Sequence, residues 1–159
     1  MSWDVVVSAV KWQPGMEASL SRPLGEAEDV RQQVSAALPD TDWSDPSWGL
    51  LERPGWSIEF NTDASGMVES MMLHVRGEGD PLPAISRLCQ ETGWLAFDTT
   101  TGEFLDPANP SSAGWDDFRE FRDEISASEA RRARFEINWP VILVAVLIGL
   151  AIPVFKIMR

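Results

Sequence analysis

Two stretches decide the fold: Trp56-Ser57-Ile58-Glu59-Phe60, and Val68-Glu69-Ser70-Met71-Met72-Leu73-His74-Val75. In the first, apolar Trp56, Ile58 and Phe60 alternate with polar Ser57 and Glu59, the period of a strand with one buried face. In the second, Met71, Leu73 and Val75 continue the same alternation. Asn61-Thr-Asp-Ala-Ser-Gly66 between them is rich in turn formers, so the pair predicts an antiparallel hairpin.

The flanks supply the other elements. Trp3 to Val10 is rich in β-branched residues and predicts a strand. Glu26 to Leu38 places Ala27, Val30, Val34, Ala37 and Leu38 at helical spacing, and Pro39 stops it. Asp40 to Pro54 predicts a loop bearing Trp43 and Trp48. After the hairpin, Pro81 to Thr92 repeats the helical spacing through Leu82, Ile85, Leu88 and Cys89, with Gly93 as its C-terminal cap. Trp94 to Asp98 and Gly102 to Leu105 predict short strands. The order β-α-β-β-α-β predicts an α+β, ferredoxin-like sandwich with helices on one face of an antiparallel sheet. Its inward set is Val5, Val7, Val30, Val34, Leu38, Ile58, Phe60, Met71, Leu73, Val75, Ile85, Leu88, Leu95 and Phe97.

Charge divides the chain unevenly. The 159 residues carry 25 acidic and 13 basic side chains, a net charge of -12. Residues 1–138 hold all 25 acidic and 11 of the basic residues. That surplus argues against nucleic-acid binding, which needs Lys and Arg for the phosphates, and favours a basic protein partner. Asp106 to Gly114 predicts a linker, and Trp115 to Phe135 a charged helix with a narrow stripe of Trp115, Phe118, Phe121 and Ile125. Trp139 to Phe155 is a 17-residue run without a charge and predicts one C-terminal transmembrane helix. Trp139, Ile142, Leu147, Ile152 and Phe155 form that anchor, with Trp139 at one interface and Lys156 and Arg159 at the other. The N-terminus has Asp4 and no basic region, so it predicts no secretory signal. The expected organisation is an acidic α/β domain over 1–109, an amphipathic connector over 110–137 and an anchor over 138–159. The expected place is the bacterial inner membrane, single-pass, with the N-terminal domain cytoplasmic.

Chemistry-bearing residues are sparse. His74, the single His, falls on the strand face opposite Leu73 and Val75, with Glu59 and Asp98 expected beside it. A Glu–His–Asp acid/base set can be written down, but no nucleophile accompanies it, so an interface role is the expectation. Trp43 and Trp48 sit in an acidic, Pro-containing loop, as plugs beneath it or as anchors for a partner. The expected partner-binding set is therefore Trp43, Asp45, Trp48, Glu59, His74 and Asp98. Cys89 on an apolar helix face reads as a structural thiol. Gly77-Glu-Gly79 lacks the rest of a phosphate loop, and no spacing predicts a metal site or cofactor.

Ser44-Asp-Pro-Ser-Trp-Gly49, Gly55-Trp-Ser-Ile-Glu-Phe60, Leu73-His-Val-Arg-Gly77, Phe97-Asp98 and Thr101-Gly-Glu-Phe104 together resemble a widespread group of small, mostly uncharacterised bacterial proteins over about residues 1–106. Acidic proteins of this kind are similar to the immunity proteins encoded beside secreted antibacterial toxins. The resemblance implies an immunity-type protein; with the acidic surface and the Trp-bearing loops, the expectation is a non-enzymatic protein that neutralises a basic toxin by occlusion while anchored in the inner membrane. The alternative is a membrane-anchored adaptor or regulatory subunit of an inner-membrane complex. Oligomeric state is not legible.

Overall fold

The computed structural model describes residues 1–11 and 22–132. Its strands are β1 Trp3–Ser8, β2 Gly25–Glu26, β3 Asp42–Asp45, β4 Trp48–Arg53, β5 Trp56–Asn61, β6 Met67–Val68, β7 Ser70–Gly77, β8 Leu95–Asp98 and β9 Glu103–Phe104. Two helices, α1 Ala27–Ala37 and α2 Leu82–Thr92, separate them, and residues 113–132 are helical as well. Contacts divide the chain into a unit Met1–Arg119 and a unit Glu120–Arg159; the sheet belongs to the first.

The hairpin predicted from alternation is β5 and β7, antiparallel, with Ile58 opposite Val75, Glu59 opposite His74 and Phe60 opposite Leu73. In β1, Trp3, Val5 and Val7 are buried, and the strand lies antiparallel between β7 and β8. Two strands that alternate in this way each expose one apolar face, and α1 and α2 cover it. Val30 and Val34 of α1 and Ile85, Leu88 and Cys89 of α2 join Val5, Val7, Ile58, Phe60, Leu73 and Val75 in one buried cluster. Gly93 ends α2 in the left-handed conformation at φ 73°, its N–H donating to the Cys89 carbonyl, the cap expected of glycine.

The expected β-α-β-β-α-β sandwich is corrected to a seven-stranded, antiparallel sheet of order β3-β4-β5-β7-β1-β8-β9, with a separate β2-β6 pair. The class is α+β, and ferredoxin-like describes it only loosely. The added edge comes from Asp40 to Pro54, expected as a loop. Pro54-Gly55 is a two-residue hairpin turn, with Arg53 opposite Trp56 and Gly55 at φ 86°, the chemistry of proline followed by a left-handed glycine. That turn folds Trp48–Arg53 back along β5. Parity in β8 is corrected too. Ala96 and Asp98 face the core opposite Val7 and Val5, while Leu95 and Phe97 face the other way. Both parities of Trp94 to Phe97 are apolar, so alternation alone had nothing to discriminate.

The membrane anchor is the last correction. Among the described residues no helix is long and apolar enough to cross a membrane. α1 and α2 have 11 residues each, about 16 Å against a hydrocarbon core of ~30 Å. Residues 113–132 carry Asp116, Asp117, Arg119, Glu120, Arg122, Asp123 and Glu124 in one run. The expected span, with Trp139, Ile142, Leu147, Ile152 and Phe155, lies outside the described residues. The tail-anchored, single-pass inner-membrane placement is not retained.

Candidate functional site: the open face of the sheet

Register assigns every second residue of the sheet to the side away from α1 and α2. Asp4 and Val6 of β1, Met72, His74 and Arg76 of β7, Ser57 and Glu59 of β5, and Trp48, Leu50 and Glu52 of β4 share it. Asp42 and Asp45 of β3 pair with Leu50 and Trp48 and extend the same side. Each of these positions is at least partly exposed, whereas most of their neighbours on the side of α1 and α2 are buried.

At the centre stands His74. Its Nδ1 is 2.8 Å from Asp4 Oδ1. A carboxylate only accepts, so Nδ1–H donates and, in the neutral ring, Nε2 is the acceptor. Ser2 Oγ donates to the same Asp4 oxygen at 2.8 Å. Trp48 reaches across β5 and stacks on the imidazole, ring centroids 5.6 Å apart and planes 18° from parallel. Trp48 remains 38% exposed, one of four large apolar residues so placed among the described residues. Beside it Arg76 donates to Glu59 Oε2 at 3.2 Å. Asp45 Oδ1 accepts from the backbone N–H and hydroxyl of Ser47, and Asp42 Oδ1 from those of Ser44. The serine hydroxyls first, and the amides second, hold both carboxyls below the usual carboxylate range.

Of the six expected partner-binding residues, the sheet brings Asp45, Trp48, Glu59 and His74 to one face. Trp43 is on the other. Its ring lies over Phe60 with centroids 6.0 Å apart, its indole N–H donates to Ser35 Oγ of α1 at 3.1 Å, and it is half-buried; it is a plug. Asp98 is also on the core side, 1% exposed. Its Oδ1 accepts the Trp3 indole N–H and the Thr100 amide, each at 2.8 Å, which is structural work. The Glu59–His74–Asp98 set therefore does not form, because the inverted parity of β8 turns Asp98 inward.

Asp4 takes the place expected for Asp98 and was missed. Asp4 alternates with buried Trp3 and Val5, and the β1–β7 pairing, which alternation alone does not disclose, sets it opposite His74. Trp115 heads the narrow apolar stripe of the charged helix. It is buried, stacks on Phe118 at 5.4 Å, tilts against Trp3 at 5.7 Å and donates to the Gly79 carbonyl at 3.1 Å. Phe121, from the same stripe, is 55% exposed. Among the described residues no group of three or more His, Cys, Asp or Glu is placed to hold a metal ion.

No family model matches the chain, and no curated protein matches it.

Proposed function

We propose that this chain is a non-enzymatic binding protein that neutralises a basic, antibacterial toxin by occluding it with the open face of its sheet. The observation that carries the reading is the half-exposed Trp48–His74 stack, ringed by Asp4, Asp42, Asp45, Glu52 and Glu59 on one face. A rigid aromatic centre with a charged rim is the anatomy of a protein interface. A net charge of -12 steers a basic partner toward it and speeds capture. Occlusion needs only that the captured surface include the toxin's working groups. The His74–Asp4 pair serves it by holding the imidazole, and hence the indole, in one orientation.

The test is co-expression of the chain with each secreted-effector gene that neighbours its own. Wild type should restore growth against one such effector. The double variant Trp48→Ala/Glu59→Lys should fail to restore it while accumulating to the same level. Absence of any neighbouring effector that kills cells lacking this chain overturns the reading.

A further inference from the structure

We infer that the docking face takes an arginine side chain of its partner, the guanidinium laid on the outer face of the Trp48 indole; this rests on the reading of that sheet face as the docking surface. One face of the indole is occupied by the His74 imidazole, 18° from parallel. The residue keeps 38% of its surface exposed, and among the described residues the His74 ring is the one ring stacked on it. The backing imidazole is braced by Asp4 at 2.8 Å. A fixed, half-exposed indole attracts a cation through the negative face of its π system.

The surroundings select the cation. Asp45 lies opposite Trp48 in the β3–β4 register, and Ser47 keeps its carboxyl ionised below the usual range. Glu59, on the adjacent strand and the same side, already carries a guanidinium, that of Arg76 at 3.2 Å. A flat aromatic platform with carboxylates at its rim matches a planar fork that stacks and hydrogen-bonds at its edge. It matches a compact, strongly hydrated ammonium less well. Arginine over lysine is the consequence.

The experiment uses the full chain labelled with 15N at its tryptophans. Octa-arginine and octa-lysine serve as probes of equal charge, followed on the indole N–H resonances, with Trp48 assigned by its loss in Trp48→Phe. Octa-arginine should move the Trp48 resonance and bind about fivefold tighter than octa-lysine. Trp48→Leu keeps apolar volume and removes the platform; it should bring the two peptides to equal affinity. If both peptides move Trp48 with equal affinity, the arginine inference is overturned and the docking face stands. If neither moves Trp48, the docking face falls with it.

Discussion

At the scale of single residues, Asp98 and Cys89 show how burial assigns roles that composition leaves open. Asp98 Oδ1 satisfies the Trp3 indole and the Thr100 amide at once, and a Cβ on Gly114 would run into its carboxyl group. Asp98→Ala leaves a buried donor unpaired, for which about 2–3 kcal/mol of destabilisation is expected in urea unfolding. Asp98→Asn retains an acceptor and should cost less. Gly114→Ala should destabilise in the same assay by displacing that carboxyl group. Cys89 is buried on α2, and desolvation pushes its thiol up to about 11 from an ordinary 9.0. Native protein at pH 8 should resist iodoacetamide, and protein in urea should react. The raised value also fixes a sign. Above pH 9 the unfolded chain ionises this thiol while the folded chain does not, so its contribution to stability falls as pH rises through about 11. A thiol that is alkylated as fast in the native state as in urea would contradict its placement.

Among the elements, β4 and β8 mark the limit of what the sequence discloses. The β5–β7 hairpin, α1, α2 and most of the core were legible, because polar and apolar residues alternate there with one period each. β4 was hidden. Trp48-Gly49-Leu50-Leu51 offers apolar side chains to both faces, and its pairing depends on the Pro54-Gly55 turn rather than on its own pattern. β8 was seen but inverted for the same reason, and with it Asp98 was assigned to the wrong side. Of the site, His74 and Glu59 were legible from hairpin parity. Asp4 was not, since it needs the pairing of strands about seventy residues apart. Gly49 tests the observed packing. A Cβ there would stand 2.7 Å from the Trp43 ring, so Gly49→Ala should destabilise by about 1–3 kcal/mol, read as a lower urea midpoint. Trp43→Leu should relieve most of that cost in the double variant. Additive losses in Gly49→Ala/Trp43→Leu would mean that the ring does not lie across β4.

For the whole molecule, the opposition of two sheet faces organises the account. One face carries Val5, Val7, Ile58, Phe60, Leu73 and Val75 beneath the helices; the other carries a ring pair among carboxylates. On the proposed reading, the net charge of -12 steers a basic partner, so association should slow as ionic strength rises. Stopped-flow rates at 0.05 and 0.5 M salt read this directly, and salt-independent association would remove electrostatic steering from the account. The central claim is that the partner docks on the Trp48–His74 face. Calorimetric titration of the effector whose toxicity the chain relieves tests it most directly, using wild type, Trp48→Ala and Met67→Ala. Met67 is 50% exposed and lies on the separate β2–β6 pair. Trp48→Ala should lose at least about tenfold in affinity and Met67→Ala less than about twofold. Wild-type affinity in Trp48→Ala would contradict it.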